Sequence, residues 1–108
     1  MELKLLKTIE VPDGPIINTY IIGDYIISEH THKSFSIVYS KPDLNAKDFL
    51  PYIFAEDEKE DGNITDFRIE TTSYGTLKVE DTKRFIEAYK EALEVAEILK
   101  AKFVSKDK

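Results

Sequence analysis

The apolar residues of this chain change period along its length. Over the first 40 positions they recur every second residue, and from about position 80 they recur in steps of three and four, the spacings of a strand and of a helix face. Leu3, Leu5, Ile9 and Val11 alternate with Lys4, Thr8 and Glu10, interrupted once at Lys7, and predict a half-buried strand. Pro12-Asp13-Gly14-Pro15 closes it, because two prolines withhold backbone donors and Asp-Gly suits a turn. Ile16 to Ile22 and Tyr25 to about Glu29 are rich in β-branched and aromatic residues, and Gly23-Asp24 between them suits a two-residue hairpin. After a loop near His30 to Lys33, Phe35, Ile37 and Tyr39 alternate with Ser36 and Val38 in a fourth strand, Ser34 to Ser40. Consecutive strands joined by short turns predict an antiparallel meander.

The middle of the chain carries a weaker pattern. Lys41-Pro42-Asp43 ends the meander, Asn45 is placed to cap a short helix through Leu50, and Pro51 marks that helix's end. Tyr52, Ile53 and Phe54 read as a short strand, with a kinked continuation of the helix as the alternative. A further strand spans Ile64 to Thr72, with Thr65, Phe67, Ile69 and Thr71 on one face and Asp66, Arg68 and Glu70 on a wet one.

A Ser73-Tyr74-Gly75 turn then leads to one long helix that starts between Val79 and Thr82, with Glu80 and Asp81 at the positive end of its dipole. Phe85, Tyr89, Ala92, Ala96, Leu99 and Phe103 form a ladder, and with Ile86 and Leu93 they fill an arc of about 140° at 100° per residue. Lys83 with Glu87 and Lys90 with Glu94 are candidate i,i+4 ion pairs. Such a helix runs to about 33–38 Å, so it either crosses the whole sheet or projects past it. Val95 and Ile98 fall outside the arc and are expected to form a second apolar edge, available for self-association. The fold class expected is α+β: one domain over residues 1–104, a mostly antiparallel sheet of about five or six strands packed by the C-terminal helix. Residues 105–108 are expected to form a disordered polar tail.

Composition narrows the function more than the fold. The 108 residues suit one domain. Cysteine is absent, which removes disulfides, thiolate nucleophiles and Cys-containing zinc sites from the candidates. No basic leader with an apolar run opens the chain and no apolar stretch approaches the ~18 residues of a membrane span, so a cytoplasmic location away from membranes is the default expectation. The net charge of −6 is unevenly spread. Residues 41–63 carry seven acids against three Lys, whereas residues 64–108 carry nine of each sign. Glu56, Asp57, Glu58, Glu60 and Asp61 form the densest acidic run, which repels polyanions and can meet a cationic partner.

Chemistry is sparse. His30-Thr31-His32 has metal-ligand spacing, because residues two apart on a strand share a face, but Glu29 points the other way and no third His exists. The pair is similar to the metal motif of cupins, which also places His-x-His on a strand. Where cupins follow with a Glu, this chain has Phe35, Ser36 and Ile37, and their second-motif His is absent. No metal ligands are therefore assigned. No Gly-x-Ser-x-Gly elbow or phosphate-cradling loop is present, since the four glycines (14, 23, 62 and 75) are isolated, so neither catalytic residues nor a cofactor nor a small-molecule substrate are assigned. Strands followed by a packed helix resemble, in outline, single-strand-binding proteins of the transcriptional-coactivator type, with Tyr20, Tyr25, Phe35, Tyr39 and Tyr52 as stacking candidates. Those proteins line the sheet with Lys and Arg, whereas the first 63 residues here hold six Lys and no Arg.

The sequence thus points to a small acidic, non-enzymatic protein-interaction or assembly module, self-associating as a homodimer through the C-terminal helix. The alternatives are an acidic inhibitor of the phage or mobile-element type, whose 56–61 run mimics nucleic acid, and a single-stranded nucleic-acid-binding domain.

Overall fold

A computed structural model describes residues 1–33, 35–42, 49–56, 63–70 and 75–104 of the chain. The strands are β1 (Lys4–Glu10), β2 (Ile16–Ile22), β3 (Tyr25–Thr31), β4 (Ser36–Pro42), β5 (Ile53–Glu56) and β6 (Arg68–Ile69), followed by the helix α1 (Val79–Phe103). They form one six-stranded sheet in the order β1-β2-β3-β4-β5-β6, antiparallel throughout. The fold is α+β, a meander covered on one face by a single helix. Among the described residues, no helix is long and apolar enough to cross a membrane.

Local chemistry accounts for the joints. Gly23 adopts φ 53° in the turn that pairs Ile22 with Tyr25, a conformation open to glycine at little cost. The break in alternation at Lys7 is a β-bulge, with the β1 to β2 register shifting between Leu5 and Lys7. Of the stretch Tyr52 to Phe54, Ile53 and Phe54 are strand, Ile53 pairing with Ile69 and Phe54 with Arg68, and Tyr52 lies just before β5. Most of the helix expected over Asn45 to Leu50 lies outside the described residues, and Phe49, at φ 67°, and Leu50 are not helical. The strand expected over Ile64 to Thr72 is shorter than its pattern: only Arg68–Ile69 pair with β5, while Ile64 bridges to Val104 beyond the helix. Its facing is as expected over Phe67 to Glu70, with Phe67 and Ile69 packing on the core and Arg68 and Glu70 exposed, but not at its start, where Thr65 is exposed and Ile64 is buried.

Because side chains alternate across a strand, register assigns every strand residue to a face. Tyr20 and Ile22 of β2, Tyr25 and Ile27 of β3, Val38 of β4, and Ile53 and Ala55 of β5 share the helix face and are buried. Ala92, Val95, Ala96 and Leu99 complete the core.

The helix is turned from its expected setting. Its buried residues are Ala88, Glu91, Ala92, Val95, Ala96 and Leu99, a stripe centred about 80° round the axis from the middle of the expected arc. Ile86 (49% exposed) and Leu93 (56%) face solvent instead. Val95 is wholly buried and Ile98 packs against the core. The outer edge expected at these two residues is therefore corrected: they belong to the protein's own interior. Ala88, Ala92 and Ala96 are among the residues buried along this stripe, and small residues there suit a helix packed close to a sheet. The ion pairs on its surface run to the acid three residues earlier, Lys83 to Glu80 at 3.7 Å, Lys90 to Glu87 at 3.6 Å and Arg84 to Asp81. Helical side chains lean toward the N-terminus, which favours that reach. Burial begins only at Ala88, so the helix crosses the sheet with its last four turns while the first turns lie mostly exposed.

Candidate functional site

Three arrangements outside the apolar core carry polar or aromatic chemistry. The first joins the helix to the hairpin tip. Glu91 is buried and its Oε2 accepts a hydrogen bond from the Asp24 backbone N–H at 2.9 Å. A Cβ on Gly23 would stand 2.9 Å from the same oxygen, so the turn glycine also makes room for the carboxylate. Beside it the Tyr25 hydroxyl donates to the Pro51 carbonyl at 2.5 Å. Burial, and after it the nearby Glu91, Tyr89 and Asp24, push the Tyr25 hydroxyl well above the ordinary tyrosine range. These contacts tie β2–β3, the segment before β5 and α1 together, which is structural work.

The second arrangement is a polar chain across the helix side of β1–β3. Thr8 Oγ1 donates to Asn18 Oδ1 at 2.5 Å, Asn18 Nδ2 donates to Glu29 Oε1 at 3.1 Å, and the Tyr20 hydroxyl donates to the same oxygen at 2.9 Å. Burial, then the hydrogen bond to Glu29 and its charge, push the Tyr20 hydroxyl up to about 12. Phe103 meets the Tyr20 ring edge-on at 5.6 Å and Lys102 Nζ lies 5.6 Å from its centroid. Thr8, Asn18, Tyr20 and Glu29 thus find partners in one another.

The third arrangement is the face of the sheet opposite the helix. Ile9 of β1, Ile17 and Ile21 of β2, Ile26 and His30 of β3, Ile37 and Tyr39 of β4 and Phe54 of β5 share it by register. All are half-buried except Ile9, which is 45% exposed. The one described element outside the sheet is α1, and it lies on the other side. Apolar side chains on two central strands of a sheet are ordinarily covered; here no described element covers them. Tyr52 (49% exposed) extends the surface beside β5.

Aromatic rings cross one end of this face. Phe35 stacks on His32 at 4.2 Å and 12°, His32 is nearly parallel to His30 at 6.5 Å, and His30 meets Tyr39 at 5.4 Å, with the Tyr39 hydroxyl 3.3 Å from His30 Nε2. The two histidines thus project from one face, as their spacing requires, while Glu29 points away into the Tyr20 network. Among the described residues, no group of three metal-ligating side chains forms. Asp13, Gly14, His32 and Lys33 line a half-open depression at the edge of the ring cluster.

Of the residues singled out from sequence, Val95 and Ile98 are core. Glu56 ends β5, paired in register with Ile37, and the rest of the acidic run, Asp57 to Asp61, lies outside the described residues, as does the 105–108 tail. The open face was not picked out from sequence. Its signal was present in the apolar residues at both parities of β2 and β3 (Tyr20 and Ile22 against Ile17 and Ile21; Tyr25 and Ile27 against Ile26), a pattern of strands built for two apolar faces. Comparison with protein-family models, with curated proteins and with solved structures finds no match to this chain.

Proposed function

We propose that this protein is a small non-enzymatic interaction module that docks a protein partner on the open face of its sheet. The observation that carries this reading is the apolar face of β2–β5, lined by Ile17, Ile26, Ile37, Tyr39 and Phe54 and opposite the one described helix. Its dimensions also suit the role. Four strands of seven residues and the shorter β5 and β6, at ~4.8 Å spacing, make a plate about 24 Å wide that tapers from about 20 Å deep, the scale of one side of a modest interface. Self-association remains part of the proposal, moved from the helix edge to this face, because Val95 already packs inside the fold. A single-stranded nucleic acid is a weaker fit: base stacking needs free ring faces, and Phe35 and His32 stack on one another.

The test is affinity capture from cell extract with the wild-type chain and with a Tyr39→Glu/Phe54→Glu variant, both verified as folded by circular dichroism. A partner retained by the wild type and lost from the variant is the expected result. Identical capture by both proteins would remove the open face from the reading.

A further inference from the structure

Register lays the open face out in rows across the strands, and the middle row is stepped. Lys7, Thr19, Ser28, Tyr39, Phe54 and Arg68 stand level with one another from β1 to β6. Thr19 and Ser28 are small and Tyr39 and Phe54 large, so at this level β2 and β3 form a trough and β4 and β5 a ridge. The rows on either side are more even, with Ile21 and Ile26 in one and Ile9, Ile17, His30 and Ile37 in the other. Lys41 and Glu56 hold register positions in those two rows, beside Ile26 and Ile37. The step thus falls at the midline of the sheet, between its third and fourth strands.

A face stepped about its own midline fits a copy of itself. Two-fold rotation about an axis parallel to the strands lays β4 of one copy on β3 of the other and β5 on β2, so each copy's Tyr39 and Phe54 descend onto the other's Ser28 and Thr19. Sheets packed face to face keep their strands within about 30° of each other and sit ~10 Å apart. That crossing angle disturbs the match least at Ser28 and Tyr39, on the two strands nearest the axis. Charge at the margins is mixed and selects nothing. Lys4 falls opposite the second copy's exposed Glu70, and Lys7 opposite its Arg68, which already has an interaction within its own chain. Area sets the strength: two such tapering plates together bury about 1,000 Å², the lower bound for a specific pair. We infer that a second copy of this chain covers the open face, ridge into trough, as a weak two-fold dimer, an inference that rests on the docking reading above.

The experiment is analytical ultracentrifugation of the full chain from about 1 to 200 μM, a range that brackets a weak dimer. It compares the wild type with Tyr39→Glu/Phe54→Glu, Ser28→Tyr, Tyr39→Ser and the exchange variant Ser28→Tyr/Tyr39→Ser, each verified as folded by circular dichroism. The expected result is a monomer–dimer equilibrium in the wild type that each single change weakens about tenfold, by filling the trough or removing the ridge. The exchange variant should regain most of it, because trough and ridge trade places about the same axis and Ser28 and Tyr39 are register partners within the chain. A second exchange, Thr19→Phe/Phe54→Thr, reads the same match one strand further out and serves if the first disturbs the fold. A wild type that stays monomeric throughout overturns the second copy as occupant, and affinity capture then decides the docking reading on its own. A dimer left intact by Tyr39→Glu/Phe54→Glu lies elsewhere on the molecule and overturns the inference as well. Dimers weakened by the single changes and regained in neither exchange overturn the ridge-into-trough packing.

Discussion

Glu91 is buried beneath the hairpin tip, where its carboxylate accepts a hydrogen bond from the Asp24 backbone N–H. Replacing it with Ala removes that acceptor from a buried site, and the expected loss is about 1–3 kcal/mol, read as a lower urea midpoint. The two buried tyrosines give the molecule an alkaline limit. A tyrosine in the unfolded chain titrates near 10, and the folded chain holds the Tyr20 proton to about 12 and raises Tyr25 in the same direction. The folded state therefore binds these protons more tightly. Their contribution is complete below about pH 10 and is lost as pH rises from there through about 12. Urea midpoints measured between about pH 8 and pH 11 should fall steeply for the wild type and less so for Tyr20→Phe/Tyr25→Phe, even though that variant starts less stable.

At the scale of elements, the helix is where hydrophobic weight and close packing disagree. Ile86 and Leu93 are large and apolar, so projecting the sequence draws the stripe toward them; Ala88 carries little weight and Glu91 argues against burial. Packing reverses the order, since a helix lies closest to a sheet along its smallest residues, and Ala88, Ala92 and Ala96 define that line while Val95 and Leu99 fill beside it. Val95→Ala should cost about 1–3 kcal/mol through the cavity it leaves. Leu93→Lys should change stability by no more than about 0.5 kcal/mol. Thermal or urea unfolding of the pair distinguishes this helix setting from the one that hydrophobic projection alone favours. The strands, by contrast, were legible nearly to the residue, because Gly23-Asp24 and Pro12 to Pro15 are strong punctuation and the β1 bulge stood out as the break at Lys7. β6 was not, since pairing needs a partner strand as well as an alternating pattern, and β5 offers it only two residues.

For the whole molecule, the arrangement leaves one sheet edge and one sheet face to be managed. β1 is exposed along its whole length, with Leu5 (57%) and Leu6 (61%) in the open, yet its bulge and two lysines are the features that keep edge strands from pairing with one another. Lys4→Val/Lys7→Val should consequently raise self-association, seen as a concentration-dependent rise in mass by light scattering, while the wild type stays smaller at the same concentration. The sheet face has no such guard at its centre. It holds Ile26, Ile37 and Tyr39 half-exposed on the two central strands, which is why function is placed there and not on the helix.

The sequence by itself determined the α+β class, the antiparallel meander and the long C-terminal helix, because strand and helix periods and turn chemistry are local properties that a few neighbouring residues settle. Only the tertiary structure decided which way the helix turns and which sheet face it covers. Both faces of β2 and β3 are apolar and one helix can cover only one of them; the choice rests on packing Ala92, Val95, Ala96 and Leu99 with Tyr25, Ile27 and Val38 in one core, a fit between residues far apart in the chain.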